Sequence, residues 1–195
     1  QPAGSPPLAG TDTFAAVEGK ALVLGDAALL ANDSDPDGDS LSVTGVASGF
    51  GGAVSRDAAT GQVTFQPDPY YVGDAWFEYR LGDGTHEVAG RAEVRIGIDT
   101  GGNARIGGEG ADTLAGTRND DRLYGLGGND AITADRGNDL LSGGRGADRL
   151  DGGWGNDTYV FHAGDGADTI DNRSAKSTDV DVLRFTAGVA RDELW

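Results

Sequence analysis

Cysteine and methionine are both missing from the 195 residues, and histidine occurs only twice. Without cysteine, no disulfide can hold the chain and no thiolate can serve as nucleophile or metal ligand. His86 and His162 lie far apart in the sequence with no catalytic partners in view, so each reads as a solvated or loop-bonded side chain. No run of about 18 apolar residues is present, so nothing reads as a membrane span, and no signal peptide is visible. Positive charge is scarce as well: 15 Lys and Arg stand against 32 Asp and Glu, a net charge of -17. That balance argues against nucleic acid and anionic membranes as partners and favours cations. The chain begins at Gln1 and stops abruptly at Trp195, which reads as a fragment of something longer.

Glycine is what the chain has in excess, with 34 residues and no Gly-X-Y period, so a collagen helix is excluded. The pattern changes near residue 98. Before it, "ALVL", "LSVTGV", "GQVTF", "AWFEYRL" and "RAEVRIGI" are short β-prone runs between Gly, Asp and Pro turns. They predict an antiparallel β-sandwich over 11–98 behind a linker at 1–10. Tyr70, Tyr71, Trp76, Phe77 and Tyr79 form an aromatic cluster. The alternation of Trp76, Glu78 and Arg80 with Phe77 and Tyr79 assigns it to a sandwich core rather than a sugar platform.

After residue 98 a nine-residue beat sets in: GGEGADTLA (107–115), GTRNDDRLY (116–124), GLGGNDAIT (125–133), ADRGNDLLS (134–142), GGRGADRLD (143–151) and GGWGNDTYV (152–160). The sixth position is Asp each time: Asp112, Asp121, Asp130, Asp139, Asp148, Asp157. The eighth is Leu114, Leu123, Ile132, Leu141, Leu150 or Tyr159, the one side chain that a three-residue strand turns inward. Two repeats make one coil, so the loops of alternate repeats stack along two edges. Such stacking aligns carboxylates that repel one another and carbonyls that lack partners. One buried apolar side chain per nine residues is too little to order them. A cation must therefore supply part of the folding energy, and calcium, which takes six to eight oxygens at about 2.3–2.6 Å, suits the space.

The repeats resemble the GGxGxDxUx nonapeptides of the RTX (repeats-in-toxin) proteins, which form parallel β-rolls. The resemblance implies that calcium sits between stacked loops, held by the aspartates and by the carbonyls of loop positions one to four. Those are Gly107, Gly108, Glu109 and Gly110 in the first loop, and Gly116, Thr117, Arg118 and Asn119 in the second. The third and fourth supply Gly125, Leu126, Gly127 and Gly128, then Ala134, Asp135, Arg136 and Gly137. The last two supply Gly143, Gly144, Arg145 and Gly146, then Gly152, Gly153, Trp154 and Gly155. Trp154 should face solvent. A slipped repeat, "AGDGADTI", restores the motif with Asp168, giving roughly five ions in a roll spanning 99–172. Upstream, "DTGGNARI" reads as a decayed repeat with Ala104 in the aspartate's place. Downstream, 173–195 resembles the truncated apolar cap of such blocks. Phe161, Ile170, Val180, Val182, Leu183 and Phe185 should leave the coil and lie across its open end.

In the first half, "NDSDPDGDS" places Asp33, Asp35, Asp37 and Asp39 around Gly38, like the opening of a calcium loop, although Thr44 stands where an EF-hand needs Glu. A solvated acidic turn is the other reading. The surrounding segment, "TDTFAAVEGKALVL" through "FQPDPYYVGDAWFEYRLGDG", resembles the cadherin-like repeats of bacterial surface proteins. The resemblance implies an immunoglobulin-like sandwich with calcium at its loops, to which Asp12 and Glu18 could contribute. The whole then reads as a monomeric, non-catalytic, calcium-folded fragment of a secreted adhesin or surface protein, exported by type I secretion. Two other readings stand beside it: a calcium-dependent module for cell-surface or matrix glycans, and an accessory tail of a secreted enzyme or toxin.

Overall fold

In the computed structural model, residues 4–99, 103–171, 178–186 and 189 are described. The chain divides into two compact units, 1–97 and 98–195. Among the described residues no helix is long and apolar enough to cross a membrane.

The first unit is a two-sheet sandwich. Its strands are β1 (Thr11–Val17), β2 (Leu22–Gly25), β3 (Ser42–Phe50), β4 (Gly52–Asp57), β5 (Gln62–Pro67), β6 (Gly73–Gly82) and β7 (Glu87–Gly97), with one helical turn, α1 (Asp26–Leu29), after β2. One sheet runs β1-β7-β6-β3 and the other β2-β5-β4. Alternation builds the core: Ala75, Phe77, Tyr79 and Leu81 of β6 and Ala92, Val94 and Ile96 of β7 point inward against Val63 and Phe65 of β5. Phe65 stacks on Phe77 with ring centroids 5.6 Å apart. The sandwich differs from the sequence reading in two respects. First, β1 pairs with β7 in parallel rather than antiparallel; nearly the whole unit connects them, so the long crossover a parallel pair requires is available. Second, the segment before β1 is tied down rather than being a free linker. Leu8 bridges Ser34, and the Gly10 N–H donates to Asp33 at 2.8 Å.

The second unit is a roll of short parallel strands. One sheet holds β8 (Asn103–Ile106), β10 (Asp121–Gly127), β12 (Leu140–Arg145), β14 (Thr158–Phe161) and β16 (Val182–Phe185). The other holds β9 (Thr113–Ala115), β11 (Ala131–Thr133), β13 (Arg149–Asp151) and β15 (Thr169–Ile170). Leu123, Ile132, Leu141, Leu150 and Tyr159, the eighth positions of successive repeats, are fully or almost fully buried between the two sheets.

The register corrects both ends of the repeat reading. Asn103 pairs with Asp121, so Asn103 holds the sixth position of the decayed repeat and Ala104 the seventh. At the other end, β16 pairs in parallel with β14, setting Leu183 beside Tyr159 and Phe185 beside Phe161. Val182, Leu183 and Phe185 thus extend the coil by one strand instead of crossing its end, and they stay 43–51% exposed. The backbone of 182–185 finds its ladder partners in β14, which an overlying lid would have denied it. The rest of the expected cap, residues 173–177, 187, 188 and 190–195, lies outside the described residues.

Stacked loops come very close at position four. A Cβ on Gly155 would lie 1.7 Å from the Gly137 carbonyl oxygen, and one on Gly146 would lie 1.8 Å from that of Gly128, with φ of 137° and 142°. Neither backbone carbonyl can yield without breaking the stack. Gly155→Ala should therefore destabilise the roll by on the order of 4 kcal/mol, combining backbone strain with overpacking. Calorimetry of the whole chain in calcium should show the roll's transition falling and the sandwich's unchanged.

Candidate metal centre

The coil brings the sixth-position aspartates into two columns. Along one edge, the Asp112 N–H donates to Asp130 Oδ1 at 2.7 Å, the Asp130 N–H to Asp148 Oδ1 at 2.7 Å, and the Asp148 N–H to Asp168 Oδ1 at 2.9 Å. Along the other, Asp121 donates to Asp139 at 2.7 Å, Asp139 to Asp157 at 2.9 Å and Asp157 to Asp181 at 2.8 Å. One oxygen of each interior carboxylate is therefore fixed by the preceding rung. The other, Oδ2 of Asp130, Asp139, Asp148 and Asp157, is buried with no hydrogen-bond donor; in Asp121 the unpartnered atom is Oδ1. These oxygens fold back over their own loops: Oδ2 of Asp130, Asp148 and Asp157 would each lie 2.1 Å from a Cβ on Gly125, Gly143 or Gly152. Asp112, at the first rung, is only half-buried, and its Oδ2 accepts the Gly108 N–H at 2.6 Å.

Buried carboxylates without donors are costly unless a cation meets them. Burial, partly offset by the Asp121 N–H and reinforced by the charges of Asp157 and Asp121, pushes Asp139 up to about 7. Burial likewise raises Asp148 and Asp157 to about 6, and it raises Asp130 and Asp168 as well. Among the described residues no three His, Asp or Glu side chains converge on one point. A cation that meets these carboxylates therefore needs further oxygens, which backbone carbonyls or water can supply. Calcium accepts such a mixed oxygen set. Some loop carbonyls already accept ladder bonds: Gly108, Thr117 and Asp135 at position two, and Arg145 and Trp154 at position three.

A second ladder was not anticipated from the sequence. Position-five side chains accept from the next rung: Asn129 Oδ1 from the Ala147 N–H, Asp120 from Asn138, Asn138 from Asn156, and Asn156 from Val180, at 2.7–2.9 Å. Asp or Asn at the fifth position of four of the six repeats was the available signal. Asp181 also stands in the column, and its one signal in the sequence is that Asp181 and Leu183 repeat the spacing of Asp157 and Tyr159.

In the sandwich the acidic loop does not gather. Both carboxylate oxygens of Asp33 accept the Tyr79 hydroxyl at 3.0 Å. Asp35 Oδ1 accepts the N–H groups of Asp37 and Asp39, closing the turn on itself, and Asp37 accepts the Ser5 N–H. Oδ2 of Asp35 and Oδ2 of Asp12 are buried and unpartnered, and Glu18 is buried. Phe77 and Tyr79 lie in the core, while Trp76 is half-buried under Arg91, whose Cζ stands 4.3 Å from the ring. Trp154 is 39% exposed, with Arg136 4.4 Å over it. His86 and His162 close tight turns onto Asp83 and Asp165.

Two predictions come from the columns. With no cation, Asp139, Asp148 and Asp157 stay protonated in the folded roll where the unfolded chain is ionised, because their folded values lie above the ordinary 3.8. Folding then takes up protons, so the metal-free roll loses stability as pH rises from about 4 to about 7. Cation binding must displace those protons and runs the other way. Calorimetric calcium affinity should weaken by on the order of tenfold or more between about pH 8 and about pH 5. The second prediction compares rungs: Asp130 has a stacked aspartate on both sides and Asp112 on one. Asp130→Ala should reduce calcium affinity about tenfold more than Asp112→Ala, a difference of about 1.4 kcal/mol by titration calorimetry.

The family model of the cadherin-like domain matches residues 4–97, and that of the RTX calcium-binding nonapeptide repeat matches 106–141 and 128–159. No curated protein matches the chain. Among solved structures, it is similar to a nucleoside hydrolase-related hypothetical protein from Saccharophagus degradans at 19% identity and TM-score 0.34, covering 48% of this chain and 26% of that one. An endo-fucoidan hydrolase of glycoside hydrolase family 107 is similar at 15% identity and TM-score 0.34, covering 56% and 17%. The N-terminal Ig1-2 module of the Drosophila receptor protein tyrosine phosphatase DLAR is similar at 13% identity and TM-score 0.26, covering 57% and 61%. The chain thus spans about a quarter or less of the first two, and at these scores the likenesses carry no argument. The chain is a cadherin-like domain, residues 4–97, followed by calcium-binding nonapeptide repeats of the RTX family, residues 106–159.

Proposed function

We propose that this chain is a non-catalytic structural segment of a large secreted adhesin or surface protein, folded and stiffened by extracellular calcium. The observation that carries the reading is the run of buried, donor-less carboxylate oxygens on Asp130, Asp139, Asp148 and Asp157. Bound calcium supplies the positive charge that these oxygens lack and takes them as ligands. The chain's own residues do the rest. The Asp N–H to Oδ1 ladder sets each carboxylate at a fixed height on its column. Position-four glycines let neighbouring loops approach, and the eighth-position side chains fill the space between the sheets. Where calcium is scarce, as inside a cell, the repelling columns keep the repeats open and exportable by type I secretion. Outside, the same residues fold into the coil.

A second reading, calcium-dependent glycan binding, is favoured by one surface of the sandwich. Thr13, Trp76, Arg91, Glu93 and Arg95 line a shallow groove of about 280 Å³ with an aromatic face in it. The Arg91 guanidinium already covers that face, which ranks the structural reading first. Glycan arrays in calcium separate the two: reproducible glycan binding abolished by Trp76→Ala would favour the second.

Circular dichroism tests the first reading. In chelator the signal of residues 99–185 should be that of an unfolded chain, and calcium should convert it to β structure. Magnesium should not, because it demands octahedral geometry at about 2.0–2.1 Å and retains its waters. An ordered roll in chelator, or equal folding by magnesium, would contradict the proposal.

A further inference from the structure

We infer that Asp157 and Asp181 form a further calcium site, in which Asp181 lies beyond the matched repeats and outside their nine-residue register; the inference rests on the calcium reading of the roll. Four relations that join the Asp139 rung to the Asp157 rung recur one rung later. The Asp139 N–H donates to Asp157 Oδ1 at 2.9 Å, and the Asp157 N–H to Asp181 Oδ1 at 2.8 Å. Thr158 N–H meets the Asp139 carbonyl at 2.7 Å, and Val182 N–H meets that of Asp157 at 2.8 Å. The Asn156 N–H donates to Asn138 Oδ1 at 2.9 Å, and the Val180 N–H to Asn156 Oδ1 at 2.7 Å. Leu141 pairs with Tyr159, and Tyr159 with Leu183. The sequence spacing is 24 instead of 18, yet the geometry is that of an ordinary coil.

Two further observations point to a cation there. Asp157 is fully buried and its Oδ2 has no donor, although a complete rung now lies beside it. Also, the glycine-rich loop that precedes each earlier aspartate is missing before Asp181, and a side chain takes over one of its acceptors. In the earlier coil the Gly137 N–H donates to the Trp154 carbonyl at 3.0 Å; one rung on, the Gly155 N–H donates to the Asp179 carboxylate at 3.2 Å. A carboxylate in place of a neutral carbonyl adds negative charge beside an already donor-less, buried anion. That substitution is unfavourable in a cation-free rung and favourable beside a divalent cation. With this site each edge carries three stacked aspartate pairs, and the expected count rises from roughly five ions to six.

The test is calcium stoichiometry on the whole chain, by titration calorimetry with atomic absorption as a check. Asp181→Asn should bind one equivalent fewer than the unaltered chain while keeping the remaining sites. An unchanged count would overturn the inference and leave the calcium reading intact; an unaltered chain that binds no calcium would overturn both. If Asp181→Asn fails to fold, a crystal of the calcium-loaded unaltered chain decides. An ion between the carboxylates of Asp157 and Asp181 upholds the site, and a calcium-loaded roll without one there overturns it.

Discussion

The roll depends on one unfavourable arrangement: carboxylates stacked at successive rungs, each with an oxygen taken out of water and given no donor. Asp139 shows it most clearly. It is almost fully buried, one oxygen holds the Asp121 N–H, the other has no partner, and its pKa rises to about 7. Each such group opposes folding by itself. The same ladder that creates the repulsion also aligns the oxygens, so a divalent cation converts it into a favourable contact. The short strands and single-file core are tolerable because they are not asked to stabilise the coil alone.

Glycine serves that arrangement through approach distance. At Gly146 and Gly155 the loops can stack only because position four has no side chain. Position two is less strict. Leu126 and Asp135 hold φ of 79° there, a conformation that glycine adopts without strain. At Gly144 and Gly153 the same position is closed to a side chain, because a Cβ there would lie 2.2 Å from the carbonyl oxygen of Leu126 or Asp135.

Much of this was legible in the sequence because the beat is rigid: Asp at six and an apolar residue at eight gave the coil, its two edges and its two columns of aspartates. What was not legible lay where the beat breaks. Asn103 and Ala104 could not be assigned to positions six and seven without strand pairing. Asp181 was hidden because six extra residues separate it from its place in the column, and because Val182, Leu183 and Phe185 read equally well as a cap. In the sandwich, alternation placed Phe77 and Tyr79 in the core. Nothing in "NDSDPDGDS" showed that Asp33 would accept the hydroxyl of Tyr79, a residue far along the chain.

Hydrogen exchange read by mass spectrometry on the whole chain tests the dependence most directly, because it reports both units in one sample. The account predicts that amides of 121–170 exchange at the rate of an unfolded chain in chelator and become strongly protected in calcium, while those of β5, β6 and β7 are protected in both. Strong protection of Leu123, Leu141 and Leu150 in chelator at neutral pH would contradict it, since the carboxylate columns would then be standing without the cation.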